Sequence, residues 1–240
     1  MLAAITPIDA GDTAWMLVAT ALVLMMTPAL GLFYAGLVRS KNTLNTFMMC
    51  VAALAVATIT WALVGYSLAF ADGSGFVGGL GHAFLNGVGF EPRAGTKIPH
   101  LVFFAFQATF CIVTTALIAG AVVERMRFGP FLVFSALWSV LVYGVLAHWA
   151  FGGGWLQSGG TLDFAGGIPV EMGSGFSALA AALVVGAVVD WVVDFSVVSL
   201  MTFIALSIAP LFVMPRTQVT FSWMFCLYWS SLPAQSLSWV

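Results

Sequence analysis

Leu162-Asp163-Phe164-Ala165-Gly166-Gly167-Ile168-Pro169-Val170-Glu171-Met172-Gly173-Ser174-Gly175-Phe176-Ser177-Ala178-Leu179-Ala180 is the stretch around which the chain is organised. It holds two of the nine acidic residues, the densest run of small residues, and the start of an apolar segment. A carboxylate inside such a segment is costly to bury in lipid, so Glu171 marks a candidate functional position. Asp163 has an alternative reading as an N-cap that takes the free amides of the following turn. Pro169 suits a first helical turn, and Glu171 two residues on has a competing reading as an ordinary first-turn carboxylate favoured by the helix dipole. A carboxyl group in a dry segment can also exchange protons, which points to proton or cation handling.

The rest of the chain decides the setting of that stretch. Of 240 residues 62% are hydrophobic and 7% charged, too few polar side chains for a water-soluble globule, in which roughly a quarter are charged. Several nearly uncharged runs reach the roughly 20 residues that a helix needs to cross a bilayer. The expected class is an all-α polytopic membrane protein in the cell membrane. The net charge of −2 and the lack of a basic patch exclude a nucleic-acid partner.

Five spans are expected, at about 13–38, 44–71, 101–123, 130–150, and from within the opening stretch to about 189. Thr27-Pro28 is expected to kink the first. Arg39/Lys41 and Arg125/Arg127 lie in short turns that alternation puts on one side, which the positive-inside rule makes cytoplasmic. The N-terminal segment 1–12 and the 72–97 connection are then outside, and the opening stretch descends from the outer face. No basic segment followed by an apolar core is visible at the start, so no cleavable signal is expected.

Small residues at four-residue spacing, Gly31 with Ala35 and Gly173 with Ser177, suit close helix packing in a membrane. Phe103, Phe106, Gln107 and Phe110 share a helical face, aromatic with one polar member, which fits either a pore lining or interior packing. Cys50, Cys111 and Cys226 show no metal spacing and read as small hydrophobes. His82, His100 and His148 likewise have no ligand spacing and read as hydrogen-bonded structural residues. No metal and no cofactor are expected. No nucleophile with a base, no phosphate loop and no paired catalytic aspartates can be picked out, so the chain is not expected to be an enzyme.

Five stretches in order resemble the ammonium transporter family, the Amt/Mep/Rh proteins: Thr27 to Asn42, Ala105 to Phe110, Glu124 to Phe128, Gly152 to Gly154, and Asp163 to Gly167. The resemblance covers about residues 12–186. It implies a homotrimer in the lipid bilayer, each subunit having eleven spans whose first five and next five form an inverted repeat around a narrow apolar pore. It implies that Phe110 is the first of two stacked gating phenylalanines and that Phe106 and Gln107 stand beside the outer vestibule. Asp163 matches an aspartate needed near the ammonium site, and Ala165 a residue whose carbonyl lies there. Phe151 stands where many members have a tryptophan that walls the cation site, and keeps a weaker aromatic face. Glu171 stands at the first of two mid-pore histidines, a place where some fungal members also carry glutamate.

The function implied is ammonium or ammonia transport: recruitment at the outer aromatic site, deprotonation, and passage of ammonia through the apolar pore. An ammonium-sensing receptor and a non-functional truncated fragment are the alternatives. The expected domains are an outer segment 1–12, a five-helix half 13–189 and a divergent apolar tail 190–240. The sequence from about 187 reads as a frame-shifted or otherwise aberrant tail on a truncated gene, with a genuine short variant that assembles two half-pores as the alternative. The second gating phenylalanine, a vestibule serine and the second pore histidine would belong to the missing half.

Overall fold

The computed structural model describes residues 8–185. The expected tail, with its apolar runs 195–214 and 217–240 and Cys226, lies outside the described residues, as do residues 1–7 and the end of the fifth span. Five helical segments are long and apolar enough to cross a membrane: Ala10–Leu37, Ser40–Phe70, His100–Val122, Phe128–Ser158 and Gly167–Val185. Their number matches the sequence expectation within the described part of the chain.

Helix α1 (Ala10–Leu37) starts at Asp9, whose side chain accepts the N–H of Asp12 at 2.8 Å. It runs unbroken through Pro28. One missing rung costs a single hydrogen bond, and the rungs on either side carry the helix on. Gly31 places α1 against α2 (Thr43–Thr60), where a Cβ would meet the Phe47 ring at 3.1 Å and the Cys50 Cβ at 3.2 Å. This is the close approach that its small-residue spacing suggests.

Two of the spans change winding midway. Helix α2 passes through a π turn at Trp61–Gly65 into α3 (Tyr66–Phe70). Helix α5 (Phe128–Trp138) passes through a π turn at Ser139–Tyr143 into α6 (Gly144–Phe151). The two π turns meet: Trp61 and Tyr143 rings pack edge to face at 5.7 Å, and the Thr60 and Ser139 hydroxyls are 2.7 Å apart. A π turn inserts one residue and rotates the helix beyond it. Here the rotation brings two large aromatics into one fully buried cluster with Tyr66 and Phe70.

Helix α4 (His100–Val122) is the most enclosed of the spans, packed by α1, α2 and α8 (Gly173–Val185). Its Gly120 lies under the Tyr34 ring, so close that a Cβ would come within 2.7 Å of the ring, and the Tyr34 hydroxyl donates to the Leu117 carbonyl at 3.1 Å. A short helix, α7 (Trp155–Ser158), ends the fourth span. Trp138 Nε1 donates to Ser177 Oγ at 2.9 Å, which fixes α5 to α8.

The two basic turns lie at one end of the bundle. Glu124, in the turn between α4 and α5, accepts from Arg39 Nε at 2.9 Å, from the Arg39 backbone N–H at 3.1 Å and from Asn42 Nδ2 at 2.7 Å. Arg39 Nη2 closes an ion pair at 2.8 Å. At the opposite end, the Asp9 backbone N–H donates to the Lys97 carbonyl, so the chain start and the 72–97 connection share a side.

Glu124 predicts a pH effect. The Arg39 hydrogen bond, with those of Asn42 and the Arg39 backbone behind it, holds the carboxyl down to about 2 against the opposing effect of burial. A folded value below the ordinary one means that the clip stabilises fully above about 4.5 and fades as pH falls towards about 2. Glu124→Gln is expected to cost about 2 kcal/mol at neutral pH, because hydrogen bonds to a charged group are worth about that much each and water replaces part of the loss. Thermal denaturation of the two chains at pH 7 and pH 3 should show the gap between them narrowing at the lower value.

Candidate functional site

The Asp163 loop is a backbone cradle closed on one carboxylate. Asp163 Oδ1 accepts the N–H groups of Ala165 at 3.2 Å, Gly166 at 2.8 Å and Gly167 at 2.9 Å, and Oδ2 accepts that of Ile168 at 2.8 Å. The chain can turn this tightly because Gly166 adopts φ +85°, a left-handed conformation that a side chain disfavours. A third π turn, Gly167–Met172, begins at once and leads into α8. Asp163 therefore acts as an N-cap does, for four amides rather than one or two.

Glu171 lies four residues into that π turn, below the cradle. Its backbone N–H donates to the Gly166 carbonyl at 3.2 Å, and its side chain is partly buried. No group among the described residues donates a hydrogen bond to its carboxylate. Asp163 and Tyr34 lie within electrostatic range of it. Pro169 and Val170 beside it are buried, and Val170 joins the cluster built on Trp61, Tyr66 and Tyr143.

Helix α4 presents the aromatic face. Phe106 and Phe110 pack edge to face with ring centres 5.0 Å apart. Between them in sequence, Gln107 has a buried Oε1 with no hydrogen-bond partner among the described residues. Phe103, a turn earlier, lies 4.1 Å beneath the Arg93 guanidinium and contacts Phe70 edge to face. Phe103 is thus already occupied by a cation of the chain itself, while no cation among the described residues lies over Phe106 or Phe110.

Phe151, the last residue of α6, and Phe110 are both half-buried against the Trp61 cluster. No direct ring contact joins Phe151 to Phe106 or Phe110. The π turn carrying Glu171 packs on α4, the helix of Phe106, Gln107 and Phe110, and on α6, the helix that ends at Phe151. The glycines after Phe151 have a steric reason: a Cβ on Gly152 would overlap the Ala69 carbonyl oxygen, and one on Gly154 would come within 2.6 Å of the His148 carbonyl oxygen. Among the described residues no group of three metal-ligating side chains forms, and Cys50 and Cys111 are buried free thiols.

His148, expected to be a hydrogen-bonded structural residue, has two such partners, and Glu124, expected only as part of a basic turn, is the anchor of that turn. The partners of Glu124 are some 85 residues away in sequence, and those of His148 are backbone carbonyls, which leave no trace in residue identities.

The family model described as Ammonium Transporter Family matches residues 14–196. An ammonium transporter of Bacillus subtilis (strain 168) is 52% identical over 177 residues, covering 73% of this chain and 44% of that protein. The crystal structure of Candida albicans Mep2 superposes with a TM-score of 0.70 at 42% identity, over 75% of this chain and 40% of that one. A structure named Sensor Amt Protein superposes with a TM-score of 0.66 at 28% identity, over 73% of this chain and 44% of that one. The chain spans less than half the length of the curated relatives it matches. With five membrane-length helices and a family match over most of its length, this chain is a multi-pass helical membrane protein of the ammonium transporter family.

Proposed function

We propose that this chain takes part in moving ammonium or ammonia across a cell membrane, as one unit of a homotrimer with its N-terminal end outside. The observation that carries the reading is the pairing of two aromatic rings, Phe106 and Phe110, with the unpartnered buried Gln107 oxygen. An unmet buried acceptor costs about 1–3 kcal/mol. Ammonium is all donor and no acceptor, it is attracted to ring faces, and it satisfies a bare carbonyl oxygen.

In this reading Phe151 and the Ala165 carbonyl complete the recruitment site, and the Asp163 cradle holds that carbonyl in place. A bare cation entering an apolar pore meets an idealised solvation cost of order 20 kcal/mol. Giving up the proton removes most of that cost, and ammonia crosses neutral. Glu171, the one carboxyl group in the fifth span's described part, is the proton acceptor in place of a histidine.

Ammonium should therefore stabilise the purified chain against heat selectively. At concentrations well above its dissociation constant the stabilisation grows as RT ln(1 + [L]/Kd), about 2.7 kcal/mol at a hundredfold excess. Potassium at equal ionic strength should give much less, and Gln107→Leu should remove most of the difference. Equal shifts with both ions in the unaltered chain would count against the site.

A sensing role is the second reading, favoured by the likeness to the protein named Sensor Amt Protein. Selective stabilisation by ammonium without uptake would support it over transport.

A further inference from the structure

His148 is a buried titratable group that the proposed mechanism does not use. Its side chain is 2% exposed. Its Nδ1 lies 2.9 Å from the Ala69 carbonyl oxygen, and its Nε2 lies 2.8 Å from the Ser74 carbonyl oxygen. A neutral imidazole has one donor and one acceptor nitrogen, whereas both partners here are acceptors only. With a single ring proton, one contact would set lone pair against lone pair at hydrogen-bond distance. With a proton on each nitrogen, both contacts are hydrogen bonds.

Two helix C-terminal ends meet at this ring. His148 sits in the last turn of α6, and Ala69 sits in the last turn of α3. The final carbonyls of a helix lack intrahelical donors and carry its negative end, so two helix C-termini converge on this ring. Among the described residues no carboxylate is within ion-pair distance of it, and the carbonyl oxygens are the balancing groups. The elements packed around it contribute four other titratable groups, one of them Glu171 in the π turn that packs on α6. Tyr66 of α3 is committed to His100 at 2.6 Å, Tyr143 lies in the π turn before α6, and Asp72 lies in the 71–79 loop.

The same residue anchors the loop after α6. The His148 carbonyl accepts the N–H groups of Gly152 and Gly154, both at 3.0 Å, so Phe151 is held between a residue clamped by its ring and two glycines bound to that residue's backbone. Neighbouring bonds tie the same loop to the same region: Trp149 Nε1 to the Phe76 carbonyl at 2.8 Å and the Trp155 N–H to the Gly75 carbonyl at 2.9 Å.

We propose that His148 donates hydrogen bonds through both ring nitrogens to the Ala69 and Ser74 carbonyls, and that this two-sided clamp makes it the positioning residue for Phe151. The positioning half rests on the reading of Phe151 as a wall of the ammonium site. The clamp itself does not.

The chain has three histidines, so 15N-histidine labelling of the full chain in lipid nanodiscs gives a spectrum simple enough to assign by single substitution. At pH 7 the signals lost in His148→Asn are expected to be two protonated ring nitrogens. One protonated and one bare nitrogen would overturn the clamp, and this spectrum of the unaltered chain decides even if the variant folds poorly. His148→Asn is further expected to weaken ammonium binding at least tenfold, as Phe151→Ala does. Lost affinity in Phe151→Ala with native affinity in His148→Asn would overturn the positioning role alone. Native affinity in Phe151→Ala would overturn the recruitment reading of Phe151 and the positioning role together, and leave the clamp standing on its spectrum.

Discussion

Asp163→Ala is expected to abolish ammonium binding and to lower the denaturation temperature by on the order of 10 °C. One carboxylate accepts four backbone N–H groups, from Ala165, Gly166, Gly167 and Ile168. Alanine accepts none of them. Hydrogen bonds to a charged acceptor contribute about 1.5–3 kcal/mol each, and even with water reaching the half-buried loop a net loss of about 3 kcal/mol is expected. The left-handed Gly166 and the π turn after it then lose the group that holds them together.

The choice of variant separates charge from geometry. Asp163→Asn keeps an oxygen for the three N–H groups on Oδ1 and turns its amide nitrogen towards the Ile168 N–H. It should therefore lie between the native chain and Asp163→Ala in both stability and binding. A thermal melt of all three with and without ammonium checks this. Asp163→Asn behaving like Asp163→Ala in stability would mean that the negative charge, rather than the acceptor geometry, holds the loop.

Glu171→Gln is expected to leave folding and ammonium binding near native and to abolish proton-linked current. Glutamine matches glutamate in size and still accepts a hydrogen bond, but it cannot take up and release a proton. The native carboxylate receives no hydrogen bond among the described residues, so the substitution breaks no bond that the fold depends on. The measurement is ammonium-triggered charge movement in proteoliposomes of an assembled transporter carrying this span. Unchanged current and unchanged uptake would sink the proton-acceptor role. Lost current with retained uptake would mean that ammonia still crosses while its proton has no route.

How much of the molecule is legible in its sequence depends on the kind of interaction. The spans are readable because a bilayer demands about 20 apolar residues in sequence, and no side-chain partner has to be known. The ends move by a few residues, most at the fourth span, where α7 continues to Ser158 beyond the glycines. The π turns at Trp61–Gly65 and Ser139–Tyr143 leave no such mark, since an inserted residue in a helix that is apolar on all sides does not disturb its pattern.

The Asp163 cradle is half legible. A short acceptor before glycines signals a cap, but the number of amides it gathers depends on φ values that composition does not give. The resemblance names Phe106, Phe110 and Gln107 as a group, and the structure adds that the Gln107 oxygen lacks a donor among the described residues. Glu124 reads in sequence as part of a basic turn, and its grip on Arg39 and Asn42 depends on two loops meeting across the bundle end. Pro28, where a kink is expected, lies inside α1 with helix on both sides of it.

Transport is decided by methylammonium uptake with this chain as the sole carrier in cells lacking their own. Saturable accumulation that ammonium competes away and that Asp163→Ala eliminates is expected. Uptake no greater than that of cells carrying empty vector, with the chain folded in the membrane and still stabilised by ammonium, would contradict transport.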